Sequence, residues 1–222
     1  MKLIAKTAAF AAFSATTVVL LATAPAQAAV LNGNFSSGFS GWTTLGSTDA
    51  STGAAVLTTG AQNVSTIESF LGLTSGTLAG IGNPTGGSAI KQSFFANAGT
   101  TVSFDWLFQA GDYLPFNDFA FYSLVPTSAN LLSNVATVGN YGSSGLQSLS
   151  YQISTTGNYT LGFGVFNSGD NGFNSTLLID NVTGNVSPTA VPTPALLPGL
   201  IGLGVAALRK RKTEAAKQTS EV

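Results

Sequence analysis

The sequence predicts an all-β domain in which two antiparallel sheets pack face to face in a jelly-roll-like sandwich. Three observations carry that prediction. Gly, Ser, Thr and Asn punctuate short apolar-aromatic runs through the middle of the chain, as where turns alternate with strands. In residues 101–109, Val102, Phe104, Trp106 and Phe108 share one face while Ser103, Asp105 and Gln109 share the other, the period of two that a strand imposes on its side chains. In residues 158–166, Tyr159, Leu161, Phe163 and Val165 alternate with Thr160, Gly162 and Gly164, and glycines on that second face point to close approach of another surface or a ligand.

Taken in order, the expected strands are 30–35, 42–46, 54–58, 89–95, 101–109, 118–125, 147–154, 158–166 and 176–183. The one expected helix is Val64–Leu71: Ser65 and Glu68 have capping-box spacing, and Ile67, Phe70 and Leu71 form a short apolar stripe. Short strands at this density suit two packed sheets. There is no repeat at solenoid spacing.

Composition narrows the function. The chain has 222 residues, 44% hydrophobic and only 8% charged, with no His, no Cys and a net charge of −1. Without His or Cys there is no Ser-His-Asp or Cys-His catalysis, no ordinary zinc site and no disulfide framework. The charge is unevenly spread. Residues 29–189 hold seven acidic side chains against the single cation Lys91, a net −6 that makes counterion-release binding to nucleic acid implausible. The same stretch holds both Trp, all five Tyr and thirteen of the fifteen Phe, so it has the apolar mass for a core.

The two ends read as address labels. Residues 1–28 have basic Lys2 and Lys6, an apolar run, and small Ala26 and Ala28 behind Pro25, the pattern of a signal peptide cut by signal peptidase after Ala28. At the other end, a linker over 187–194 closes with Pro192-Thr193-Pro194. A hydrophobic segment over 195–208 follows, and then a basic tail over 209–222 opening with Arg209, Lys210, Arg211 and Lys212. The apolar stretch is at the short edge of bilayer-spanning length, and four cations would hold its end on the cytoplasmic side. Between these ends lies the sandwich domain, 29–186.

The tail, from Val191 to Lys212, resembles the PEP-CTERM sorting signal of bacterial proteins that also carry a signal peptide. Thr193 stands where that family has an acidic residue, which looks like the variant common in cyanobacteria. The resemblance implies transient membrane anchoring and cleavage near the Pro-Thr-Pro by an exosortase-type membrane protease. It makes this protein a substrate of a processing enzyme rather than an enzyme. On hydropathy alone an ordinary single-pass anchor stays open.

A second resemblance lies at the two ends of the domain. Asn32-Gly33-Asn34-Phe35-Ser36 before Gly38–Trp42, and Leu178-Ile179-Asp180-Asn181-Val182, are similar to the first and last strands of galactose-binding-like, carbohydrate-binding jelly rolls. In that family an acidic pair with nearby carbonyls binds a structural Ca²⁺. The resemblance implies such a site at Asp180 with carbonyls near Asn32 and Asn34, short of one charge because Ser36 stands in the place of Glu. The alternative is that Asp180 and Asn181 cap strand ends through backbone hydrogen bonds. The runs Gly87–Phe94, Val102–Trp106 and Asn117–Tyr122 are also similar to uncharacterised PEP-CTERM proteins.

The candidate ligand site is the loop Tyr113-Leu-Pro-Phe-Asn117 between Asp112 and Asp118. Tyr113 and Phe116, with Tyr141, offer aromatic faces to sugar C–H edges, while Asp112 and Asp118 are expected to take hydroxyls. Trp106, on the regular apolar face, is expected in the core. The same two carboxylates are the nearest thing to a glycosidase pair, but no surrounding sequence specifies that chemistry, and no catalytic residue is assigned. The reading from sequence is therefore an exported, non-enzymatic surface or matrix protein sorted through its tail. The alternative is a carbohydrate-binding module, calcium-assisted, whose partner is an exopolysaccharide.

Overall fold

The alternation in residues 101–109 is a strand whose inward row, Val102, Phe104, Trp106 and Phe108, is buried between two sheets. The structure, a computed structural model, describes residues 30–186. The expected signal peptide, the Pro-Thr-Pro motif, the hydrophobic segment and the basic tail lie outside the described residues. Among the described residues there are eleven strands: β1 Thr43–Leu45, β2 Ser47–Asp49, β3 Ala55–Thr58, β4 Gln62–Asn63, β5 Pro84–Ala96, β6 Thr100–Gln109, β7 Phe119–Val125, β8 Ser128–Asn134, β9 Gln147–Gln152, β10 Gly157–Ser168 and β11 Thr176–Val186. One sheet runs β1-β5-β10-β7-β8 with β4 also on β5, and the other runs β2-β3-β11-β6-β9. Every pairing is antiparallel. The protein is an all-β, jelly-roll-like antiparallel sandwich.

The inward rows of the two sheets make the main core, with Phe104, Phe108, Phe163, Leu177 and Ile179 at its centre and Trp106 within it. The ring of Phe163 packs on Phe104 at 4.7 Å and on Trp42 at 6.1 Å. A second, smaller core lies on the outer face of the β5–β10–β7 sheet, where helix α1, Val64–Leu71, covers Phe119, Phe121 and Phe166 with Ile67 and Leu71. The glycines of β10 permit this. A Cβ on Gly162 would lie 2.5 Å from Leu71 Cδ2, and one on Gly164 would lie 2.5 Å from the Phe121 ring. The surface that approaches them is the protein's own.

Four expectations are corrected in detail. Residues 30–35 form turns rather than a strand, because the Asn32 side chain binds the backbone of Ser37, Gly38 and Ser40 and so competes with ladder pairing. Helix α1 spans the expected residues, but its cap is Asn63, whose side chain accepts from Thr66 N at 2.9 Å. Glu68 does not close a capping box; it is buried and accepts from Gly76 N and Leu78 N, pinning the segment after the helix. A second helical turn, α2 at Val135–Val138, and a 3₁₀ turn at Leu78–Gly80 accompany the expected helix. The strand at 128–134 has no counterpart among the expected strands, since its Ser and Asn content resembles a turn.

Candidate functional site

At one end of the sandwich three loops meet: 110–118 between β6 and β7, 139–146 before β9, and 169–175 between β10 and β11. The first leaves β6 through Gly111, where a Cβ would lie 2.1 Å from the Asn174 carbonyl oxygen, so only glycine fits this approach. It turns at a cis Leu114–Pro115 peptide, with Phe116 N donating to Tyr113 O at 2.9 Å. The second loop is tied to the first. Tyr141 N donates to Asp112 O, Leu114 N donates to Asn140 Oδ1, and the Gln109 side chain donates to the carbonyls of Tyr141 and Gly142.

These ties gather an aromatic cluster. The Tyr113 ring lies 5.7 Å from Phe116, 5.8 Å from Tyr141 and 6.4 Å from Phe173, centre to centre. Tyr141 is 54% exposed and Phe173 65%, and Tyr113 is also exposed, so the cluster faces solvent rather than filling a core. Both outer members adopt left-handed backbone, Tyr141 at φ 55° and Phe173 at φ 39°. Bulky residues pay a conformational cost there, and such strain persists where the surrounding structure over-determines it, most often at functional sites.

Beneath the rings lies a closed polar layer. Asp112 and Asp118 are both fully buried. They therefore cannot take the hydroxyls of a ligand docked on the rings, nor reach a glycosidic bond as an acid–base pair, which corrects the role expected of them. Asp118 accepts from Ser168 N at 2.9 Å and from the Ser175 hydroxyl at 2.6 Å, while Ser175 Oγ accepts from Gly111 N at 2.9 Å. Thr59 joins the layer by accepting from Ser175 N and donating to Asn174 Oδ1. Asp112 Oδ1 accepts from Tyr113 N. Burial pushes the Asp118 carboxyl up to about 6, against the lowering effect of its Ser175 and Ser168 hydrogen bonds and with smaller upward contributions from Asp112 and Asp170. Three buried polar atoms in this layer have no protein partner: Asp112 Oδ2, Asn167 Oδ1 and Asn167 Nδ2.

The structure thus brings together the expected Tyr113, Phe116 and Tyr141, and adds Phe173, Asn167 and Ser175. Gly172-Phe173-Asn174 resembles a plain turn in sequence, and nothing local marks its ring as a neighbour of Tyr113. The Asp180 region is at another place, on the pair of chain ends where Val182 N donates to Gly33 O at 2.9 Å. There the Asn32 side chain holds its own turn, Asn34 Oδ1 accepts from Ser36, and Asp180 Oδ1 accepts from Asn181 N. Among the described residues, no three acidic side chains gather as a metal cluster. Also among these residues, no helix is long and apolar enough to cross a membrane.

No protein-family model and no curated protein matches the sequence. Among solved structures the chain is similar to a CBM4 module, at 15% identity over 69% of this chain and 99% of that one, with a TM-score of 0.37. It is also similar to TmCBM61 in complex with β-1,4-galactotriose, at 14% identity over 73% and 100% of the two chains, TM-score 0.41. A third is the CBM22-1–GH10 portion of Clostridium thermocellum endo-1,4-β-D-xylanase 10B complexed with xylohexaose, at 16% identity over 76% of this chain and 30% of that one, TM-score 0.29. At these TM-scores the likeness carries no argument about function, which rests on the site's own geometry.

Proposed function

We propose that this domain is a non-catalytic carbohydrate-binding module whose ligand docks on the ring cluster of Tyr113, Tyr141 and Phe173. The observation that carries this reading is the exposure at one loop end of the Tyr113 ring with Tyr141 and Phe173 packed against it, the latter two on left-handed backbone. Sugars stack their C–H faces on such rings, which present large apolar area at low entropic cost. Tyr113 meets Tyr141 at 42° and Phe173 at 57°, so the three faces are not coplanar, which suits a few sugar units more than an extended chain. Hydroxyls would be taken by the amide groups of Asn117 and Asn140, whose Oδ1 atoms are occupied by Ala136 N and Leu114 N, leaving the Nδ2 donors toward the ligand. A domain with one Lys among seven acids favours neutral sugars over uronates.

The module would reach its ligand by the route the chain ends describe: export by the signal peptide, transient anchoring by residues 195–208, and cleavage by an exosortase-type protease near Pro192-Thr193-Pro194, to work at the cell surface or in exopolysaccharide. The test of binding is affinity electrophoresis through gels containing neutral β-linked polysaccharides: galactan, xylan, glucan and mannan. At least one retards the wild-type protein, and the Tyr113→Ala/Phe173→Ala double variant runs as in an empty gel. Equal retardation of the two proteins, or none of the wild type in any gel, overturns the reading.

A further inference from the structure

Both ends of the loop that carries Phe173 close on one buried carboxylate. Asp118 Oδ1 accepts from Ser168 N at 2.9 Å, at the end of β10, and Asp118 Oδ2 accepts from the Ser175 hydroxyl at 2.6 Å, just before β11. Ser175 Oγ accepts in turn from Gly111 N at 2.9 Å, at the start of the loop that carries Tyr113. One side chain therefore ties together the stems of two ring-bearing loops. The Gly169 end has further ties toward β5: Gly169 N donates to Asn83 O, and the Thr85 hydroxyl donates to Asp170 O. The other end, two residues from Phe173, is held by Ser175 through Thr59, Gly111 and Asp118.

Among the described residues nothing positive faces this carboxylate. The charged groups that act on it are two further acids, Asp112 from the 110–118 loop and Asp170 from the 169–175 loop. Its partners Ser168 and Ser175 are neutral, as is Thr59, and helix α2, whose Val135 N donates to Asp118 O, has no charged side chain. Lys91, the one cation in residues 30–186, donates to Phe70 O and lies over the Phe70 ring, on the helix-covered face. A buried carboxylate without a positive partner is relieved by taking up a proton or by regaining water. Proton uptake keeps the layer closed: Oδ1 still accepts from Ser168 N, and the new O–H donates to Ser175 Oγ, which reverses that one bond. Regaining water requires the Ser175 end to open, and Phe173 moves with it.

We propose that Asp118 is a proton-operated latch on the sugar site: its neutral form holds the Phe173 loop closed against Tyr113, and its ionised form releases the loop, so that sugar binding weakens as the surroundings turn from acid to alkaline. The last step rests on the rings being the sugar site; the latch itself does not. Burial raises the Asp118 carboxyl from 3.8 to about 6, so the closed loop holds the proton more tightly than an open, hydrated one does. Closure therefore has its full advantage below pH 4 and loses it as pH rises through 6.

The latch is read without ligand, by amide hydrogen exchange of the full chain at pH 5 and pH 7.5. After correction for the intrinsic pH dependence of exchange, protection at Gly111 N, Ser168 N and Ser175 N falls by about tenfold or more between the two, and falls further than in the centre of β10. In Asp118→Asn, whose amide oxygen accepts and whose amide N–H donates as the neutral acid does, protection at these three sites is the same at both pH values. Calorimetric titration with an oligosaccharide of the polysaccharide that best retards the protein shows at least about threefold weaker binding by the wild type at pH 7.5 than at pH 5, and no such difference in Asp118→Asn. Equal protection of the wild type at the two pH values, or a pH dependence that persists in Asp118→Asn, overturns the latch. Sugar binding of equal strength at both pH values overturns its coupling to the rings and leaves the sugar site standing. Retardation by no polysaccharide overturns the sugar site, and the exchange result still decides the latch.

Discussion

Replacing Ser175 with Ala removes one hydroxyl and breaks two bonds of the polar layer at once. The hydroxyl donates to Asp118 at 2.6 Å and accepts from Gly111 N at 2.9 Å, in a residue with no exposed surface. A hydrogen bond to a charged group contributes about 1.5–3 kcal/mol, and an orphaned buried N–H costs about 1–3 kcal/mol. The two overlap through one atom, so the expected loss is about 3 kcal/mol, which for a domain of this size lowers Tm by roughly 6–12 °C.

The loss also has a pH signature. The Asp118 carboxyl is raised from 3.8 to about 6, so its contribution to stability is fully present below pH 4 and is lost as pH rises through 6. The Ser175 hydroxyl lowers that value, and its removal raises it further. Ionising Asp118 at neutral pH therefore costs the variant more than the wild type. Urea titrations in EDTA at pH 5 and pH 7.5 measure both effects, and the deficit is larger at pH 7.5. A deficit below about 1 kcal/mol, or one equal at the two pH values, refutes the reasoning that Ser175 supports an ionisable Asp118.

Two further outcomes follow from the structure and from the chain ends. Phe163 is fully buried and its ring packs on Phe104 and Trp42, so Phe163→Ala is expected to cost about 3–5 kcal/mol in urea unfolding, and a loss under 1 kcal/mol contradicts the assigned core. Intact mass of the protein recovered from outside the producing cell is expected to lack residues 1–28 and the basic cluster Arg209–Lys212; a species that keeps Arg209–Lys212 contradicts processing at Pro192-Thr193-Pro194.

Where side chains repeat with a regular period, the fold was legible in advance. The alternation of 101–109 and 158–166 placed β6 and β10 in the core, the Gly162 and Gly164 pattern announced a covering surface, and the short stripe at 64–71 located α1. Residues 30–35 misled because the apolar positions are there, but Asn32 spends its side chain on the turn. The site was legible only in its local part. Tyr113 and Phe116 were visible as loop aromatics next to a strand end. Phe173 reaches Tyr113 from sixty residues away, and Ser168 N reaches Asp118 from fifty. The burial of Asp112 and Asp118 follows from the inward rows of β6 and β7, and a charged residue beside a loop gives no local sign that it turns inward.

The central proposal for this domain is a sugar docked on Tyr113, Tyr141 and Phe173. Its most direct measurement is calorimetric titration of an oligosaccharide of the polysaccharide that best retards the protein, with the wild type and with Tyr113→Ala and Phe173→Ala separately. Saturable binding by the wild type and at least about tenfold weaker binding by each variant are expected, as when a stacking ring is removed. Binding that survives both substitutions unchanged would place the ligand elsewhere on the sandwich and contradict it.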